Sequence, residues 1–205
     1  QNLFEPALEL AVVVSAISRA KDELIGPVEY LAAAEADLEA AVDDAAREVA
    51  EKAVEVGKVY VIYERLLLEE DAVDFGDLIF HAVTLLEDDA VRGEIIGSYR
   101  HPLVDEYQDV NYASSRLLGA FASECRDIWV VADHRQSIYR FRGAEPSNVE
   151  RFTDEFDGQR LTLGINYRSG KPVVRAFATF TGRMADGATR QWKANRGAVG
   201  EVTLE

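Results

Sequence analysis

Two adjacent carboxylates, Asp105 and Glu106, follow the short apolar run Leu103-Val104 in the stretch Val104-Asp105-Glu106-Tyr107-Gln108-Asp109. A buried strand that ends in acids delivers them to the carboxyl edge of a sheet, where open α/β folds bind their ligands. One acid there can hold Mg²⁺ beside phosphate oxygens, and its neighbour can orient a water. Adjacent acids are common and usually solvated, so the pair needs company. A second apolar run, Ile128-Trp129-Val130-Val131-Ala132, ends in Asp133 and is soon followed by Gln136-Ser137-Ile138-Tyr139-Arg140-Phe141-Arg142-Gly143-Ala144. Gln136 can hydrogen-bond a phosphate oxygen or a water, while Tyr139 and Phe141 can stack on unpaired bases whatever their sequence. The same aromatics can equally pack beneath a sheet, with the arginines in surface ion pairs. A third run, Leu161-Thr162-Leu163, leads into Asn166-Tyr167-Arg168-Ser169. There Tyr167 offers a face to a purine, and Arg168 offers a charge to a terminal phosphate.

The three apolar runs read as short strands, separated by helical stretches at 113–123 and 147–156. Strand and helix in alternation indicate a parallel sheet with crossover helices. The chain ahead of them is helical. Residues 7–25 advance by three or four through Leu8, Val12, Ser15/Ala16, Arg19 and Glu23, and Gly26-Pro27 ends that helix. From 28 to 68 the positions Leu31, Leu38, Val42, Ala45, Val49, Val56, Val59, Tyr63 and Leu66 keep the same spacing, as one helix or as two with a break at Gly57. This stretch can be a partner-binding coiled coil or an intramolecular helical subdomain. Residues 74–86 form a further amphipathic helix, with Asp74 as cap and Phe75, Leu78, Ile79, Ala82 and Leu85/Leu86 as its buried face. Beyond Lys171 the pattern predicts a helix at 173–181, a loop rich in Gly, Asn and Arg, and a strand beginning at Glu201-Val202-Thr203-Leu204.

Composition bounds the rest. At 205 residues and 48% hydrophobic content the chain can bury one substantial core. No apolar run approaches the roughly 20 residues of a membrane span, and the first residues lack the pattern of a signal peptide, so a cytoplasmic location is the default expectation. The single Cys125 cannot form an internal disulfide, and beside three scattered histidines it offers no zinc spacing. A net charge of −15 looks hostile to nucleic acid, but its distribution matters more than its sum. Residues 1–133 carry 10 basic and 29 acidic side chains, whereas residues 134–196 carry 12 basic and 6 acidic. Arg135, Arg140, Arg142, Arg151, Arg160 and Arg168 lie around the second and third motif segments.

Taken together, these segments resemble the superfamily 1 DNA helicases of the UvrD/Rep/PcrA type. Residues 104–111 look like the family's Walker B motif, 131–144 like its glutamine, aromatic and arginine motif, and 166–169 like the motif that ends its first motor domain, in matching order. Ile17-Ser18-Arg19-Ala20-Lys21 and Asp74-Phe75-Gly76-Asp77-Leu78 resemble flanking signatures in and just after the family's helical insertion. The resemblance implies an α/β fold: part of a RecA-like, P-loop NTPase parallel sheet with crossover helices, preceded by an α-helical insertion subdomain. It implies a helical subdomain at 1–73, the rear of the first motor domain at 74–170, and a linker with the start of a second at 171–205. The implied cofactors are ATP and Mg²⁺; the implied partners are single-stranded DNA or single/double-strand junctions and the remaining helicase domains, with no membrane. By position, Asp105 would coordinate Mg²⁺, Glu106 would activate water, Gln136 and Arg168 would contact the γ-phosphate, and Tyr167 would stack on adenine. Tyr139 and Phe141 would lie on the DNA side, with Arg142 supporting the coupling. Ala132 stands where the family usually has Gly, Gly76 interrupts an Asp-Phe-Asp-Asp-like signature, and Phe141 stands where Trp is frequent.

A nucleoside triphosphatase of this type also needs a loop of the form G-x-x-x-x-G-K-[ST]. The nearest string, Gly164 to Gly170-Lys171-Pro172, has the wrong spacing and ends in Pro where a hydroxyl must meet Mg²⁺. The expectation is therefore a middle portion of a helicase, inactive when isolated. The alternative is a degenerate, non-catalytic module that keeps the fold for DNA or protein binding.

Overall fold

The computed structural model describes residues 9–125, 127–133, 136, 147–183 and 193–197, and the chain divides into two compact units, Gln1–Asp157 and Gly158–Glu205. In the first unit, helix α1 (Leu10–Asp22) is followed by α2 (Pro27–Ala40) and α3 (Asp44–Glu69). Val13, Ile17 and Ala20 of α1 close over Val56 and Tyr60 of α3, and the Tyr60 hydroxyl donates to the Ile25 carbonyl at 3.2 Å. Pro27 suits the first turn of α2, where its missing N–H has no partner to lose.

The break between α2 and α3 falls at 41–43, not at Gly57. Asp43 caps α3 by accepting from the Ala46 N–H at 2.7 Å, which starts a new helix there. Gly57 is buried inside α3, and a Cβ on it would lie 3.0 Å from both Cα and Cδ1 of Leu31. Its role is close approach of α2, which offsets the loss in helix propensity. The buried residues of α3 are Ala50, Val54, Val56, Gly57 and Tyr60, so the three-and-four stripe expected there is met at Val56 while Val42, Val49, Val59 and Leu66 are exposed. The α2–α3 pairing makes this region an intramolecular hairpin.

Helix α4 (Phe75–Leu85) begins where expected, with a reciprocal capping box between Asp74 and Asp77. Its inward face differs from the expected one. Phe75 is 90% exposed, and Leu78 and Leu85 are exposed as well; Leu86 is buried as expected and Ile79 and Ala82 are half-buried, while the buried residues not expected there are Asp77 and Val83. The helix is turned so that Asp77 meets a lysine of α1, and the apolar stripe rotates with it. Helix α5 (Asp89–Ile96), which periodicity did not indicate, starts on Asp88, whose carboxylate accepts from the Ala90 and Val91 N–H groups.

Strands β1 (Leu103–Val104) and β2 (Trp129–Val130) are parallel, paired Leu103 to Trp129 and Val104 to Val130. Helix α6 (Tyr112–Glu124) makes the crossover between them, capped by Asn111 through the Ser114 N–H at 2.9 Å. Parallel neighbours require such a crossover, because a tight turn can only reverse the chain. Helix α7 (Ser147–Glu155) completes the described part of this unit.

In the second unit, the strand expected at 161–163 is absent: Leu161 and Leu163 are exposed coil, and β3 runs instead from Ile165 to Gly170. Its parallel partner β4 (Lys193–Arg196) lies within the stretch read as loop. Both differences share a cause, since β3 and β4 are specified by one another's backbone and neither carries an apolar run of its own. Helix α8 (Lys171–Thr181) follows β3 directly and contains the helix expected at 173–181. The strand expected at 201–204 lies outside the described residues.

Candidate functional site

The end of β1 makes a tight turn. Glu106 adopts the left-handed conformation (φ 51°, ψ 40°), which costs a non-glycine residue roughly 1–2 kcal/mol and must be offset by its bonds. Its N–H donates to Asp105 Oδ1 at 2.9 Å. The turn is then anchored from below: Tyr107 is fully buried, donates its N–H to the Val131 carbonyl at 3.0 Å, and packs edge-on against Phe152 of α7 at 5.4 Å between ring centres. Further ladder bonds, Trp129 N–H to the Pro102 carbonyl and Val131 N–H to the Val104 carbonyl, hold the carboxyl ends of the two strands side by side.

Between those ends lies Gln108, only 1% exposed. Its Nε2 donates to Glu106 Oε2 at 2.6 Å, and its Oε1 accepts from the Asp133 N–H at 2.9 Å. Asp133 in turn accepts from Gln136 twice, through Oδ2 from Nε2 at 3.0 Å and through its carbonyl from the backbone N–H at 2.8 Å. The structure thus brings together Asp105, Glu106 and Gln136, all exposed, over a support of Gln108 and Asp133. Asp105 Oδ2 carries no hydrogen bond among the described residues. One carboxylate oxygen without a hydrogen bond suits Mg²⁺, which takes one or two protein carboxylates and fills its other positions with water and phosphate oxygens. Among the described residues no cluster of three His, Cys, Asp or Glu could hold a metal by itself.

Sequence reasoning named the outer residues and passed over the inner two. Gln108 stands inside the motif, yet nothing in its spacing marks a buried amide; Asp133 was visible only as the end of a strand. Tyr139, Phe141 and Arg142 lie outside the described residues. Tyr167 and Arg168 belong to the second unit, on β3, and both are exposed. The Asn166 side chain accepts from the N–H groups of Arg168 and Ser169 at 2.9 and 2.8 Å, which bends the strand where its register with β4 shifts.

A second polar cluster, also missed, explains the two flanking signatures. Lys21, 1% exposed at its side chain, places Nζ 2.7 Å from Glu64 Oε1, 2.8 Å from Asp74 Oδ2 and 2.6 Å from Asp77 Oδ1. The Tyr63 hydroxyl donates to Asp74 Oδ2 at 2.9 Å, and the Lys21 ammonium lies 5.2 Å from the centre of the Tyr63 ring. Burial alone would lower the Lys21 pKa, but the three carboxylates outweigh it and hold the group above the ordinary lysine range. Burial would likewise raise Asp74, yet Lys21, the Asp77 N–H and Tyr63 hold it below its ordinary value. A Cβ at Gly76 would lie 2.8 Å from Lys21 Cδ, so the glycine lets the lysine stem pass. The signatures at 17–21 and 74–78 are therefore two halves of one ionic lock between α1 and α4. Near it, Asn111 Nδ2 donates to Asp22 Oδ1 at 2.6 Å, tying the end of the 104–111 motif to α1.

Parallel strands joined by a crossover helix, with carboxylates and an amide at their carboxyl ends, are an α/β arrangement, and open α/β sheets in general bind ligands outside that end. The chain belongs to the UvrD/REP helicase family: the model of the UvrD/REP helicase N-terminal domain matches residues 5–157. It is 38% identical over 183 residues to the ATP-dependent DNA helicase UvrD2 of Mycobacterium tuberculosis, covering 85% of this chain and 25% of the relative. It is 35% identical over 202 residues to UvrD1 of the same organism, covering 94% of this chain and 25% of the relative. With the ATP-dependent DNA helicase PcrA of Bacillus subtilis the identity is 33% over 181 residues, covering 86% and 22%. The chain spans about a quarter of the length of these relatives. No helix among the described residues is long and apolar enough to cross a membrane.

Proposed function

We propose that this chain is the part of an ATP-dependent, single-stranded-DNA motor that carries half of its hydrolytic centre. The observation that carries the reading is the convergence of Asp105, Glu106 and Gln136 at the carboxyl ends of two parallel strands, in a chain of this family. Asp105 is the residue that would hold Mg²⁺, which supplies charge neutralisation on the phosphate oxygens when bound. Glu106 takes the proton of the attacking water as its oxygen bonds to the γ-phosphorus and the bond to the bridging oxygen of ADP breaks. Gln136 and Arg168 contact the γ-phosphoryl group, Arg168 offsetting charge during transfer, and Tyr167 stacks on the adenine. Tyr139 and Phe141 stack on DNA bases, and Arg142 supports the link between nucleotide and DNA.

In this reading residues 1–73 are the helical insertion, 74–170 the rear of a RecA-like first motor domain, and 171–205 the entry to the second, in a cytoplasmic protein acting on single strands or junctions. The 205-residue chain alone hydrolyses no ATP, since phosphate-loop and second-domain groups must close on the same nucleotide; Mg²⁺-dependent, DNA-stimulated turnover by it would refute that. In the complete helicase containing this segment, Tyr139→Ala and Phe141→Ala each weaken binding of a fluorescent oligothymidylate by roughly 1–3 kcal/mol, the worth of one stacked base. Unchanged affinity in both would remove the aromatics from the DNA path. ATP binding and hydrolysis absent from the complete protein would favour a degenerate binding module instead.

A further inference from the structure

We infer that Gln108 is a positioning residue for hydrolysis, holding the Glu106 carboxylate and fixing it to the backbone that carries Gln136. The inference rests on the reading of Glu106 as the base. The orientation of the Gln108 amide is settled by its partners: the Asp133 N–H can only donate, so it faces Oε1, and an ionised Glu106 can only accept, so it faces Nε2. With 1% of Gln108 exposed, bulk water cannot stand in for either partner, and the amide is locked at both ends.

Two consequences follow for the chemistry. Glu106 Oε2 is tethered at 2.6 Å, whereas Oε1 carries no hydrogen bond among the described residues and is left for a water. A carboxylate on a left-handed residue at an exposed turn would otherwise sample several rotamers, and a base displaced by an ångström loses much of its effect. The other end of the same amide fixes Asp133, whose carboxylate and carbonyl hold both the side chain and the backbone of Gln136. Glu106 and Gln136 are therefore placed relative to each other by a short run of hydrogen bonds through one buried side chain.

The test compares wild type, Glu106→Gln, Gln108→Met and Gln108→Glu in the complete helicase, reading DNA-stimulated ATP turnover, KM for ATP and affinity for a labelled oligothymidylate. Gln108→Met removes the bonds to Glu106 and to the Asp133 N–H at similar volume. Gln108→Glu keeps an acceptor for the Asp133 N–H and replaces the neutral donor to Glu106 with a second carboxyl that repels it or shares its proton, so it perturbs the base by a different route and decides the matter if the Met variant fails to fold. Both variants lower kcat roughly 10–100-fold while KM and DNA affinity stay within about twofold. Full turnover in Gln108→Glu, or a loss of kcat matched by equal losses of ATP and DNA binding, would overturn the inference. A wild type without turnover, or a Glu106→Gln variant that keeps it, would instead sink the reading beneath.

Discussion

The first unit contains two clusters of charged and polar side chains with opposite architecture. Around Lys21 the charges face each other: an ammonium with 1% of its side chain exposed is enclosed by three carboxylates, and the set is closed. At the strand ends the arrangement is inverted, with a neutral amide buried beneath and the carboxylates of Asp105 and Glu106 turned outward. The difference teaches that a concentration of acids does not define a ligand site. Acids spent on a buried cation hold helices together, whereas acids supported from below by a buried amide keep oxygen atoms for something else.

The comparison breaks first at Glu106. If the strand-end cluster serves chemistry and not cohesion, Glu106→Gln in the complete helicase lowers turnover by roughly 10²–10⁴-fold, with nucleotide binding retained in a fluorescent-analogue titration. A matching drop in the urea midpoint would place Glu106 with the structural cluster instead. The reverse holds for Lys21. Lys21→Met leaves three carboxylates facing one another and costs about 3 kcal/mol in urea unfolding of the 205-residue chain; this is the low end for a broken buried pair, because Glu64 and Asp74 keep some solvent. A loss under about 1 kcal/mol would make the lock a surface bridge.

Acid sharpens the contrast further. Asp74 titrates below its ordinary value of 3.8 in the folded chain, so its contribution is present above that value and is lost as pH falls through the lower, folded one. The urea midpoint of wild type should therefore fall below about pH 4, and that part of the fall should be missing in Lys21→Met. Asp22 has the opposite sign. Burial, with Glu23 adding and the Asn111 bond opposing, raises its pKa, so its contribution is present at low pH and is lost as pH rises through the folded value. Asp22→Asn keeps an oxygen for Asn111 and should stabilise the chain at neutral pH by roughly 0.5 kcal/mol or less. A clear loss would mean that the charge itself matters to α1.

Much of the local architecture was legible. Asp74 reads as a cap because a short acid before Phe75 can satisfy the N–H three residues on, and the helix at 113–123 and the parallel pairing of β1 and β2 follow from strand-helix-strand alternation. The inward face of α4 was legible only in part. Spacing chose Phe75, Leu78, Ile79, Ala82 and Leu85/Leu86, of which Leu86 is buried and Ile79 and Ala82 half-buried, but not Asp77, which meets Lys21 from fifty-six residues earlier in the chain. Gly57 misled for a related reason: in isolation a mid-helix glycine weakens the helix, and only the position of Leu31 shows what its missing Cβ permits.

The amino-acid sequence by itself determined the family, the placement of two acids after an apolar run, and the order in which the motif segments follow one another. These are properties of residue type and spacing along one chain, and they survive without coordinates. Only the tertiary structure decided that Gln108 sits beneath Glu106 and reaches Asp133, that Asp133 holds Gln136, and that Lys21 consumes Glu64, Asp74 and Asp77. The reason is directional: a hydrogen bond or a buried ion pair depends on where two side chains meet across separate elements, and no periodicity within either element contains that information.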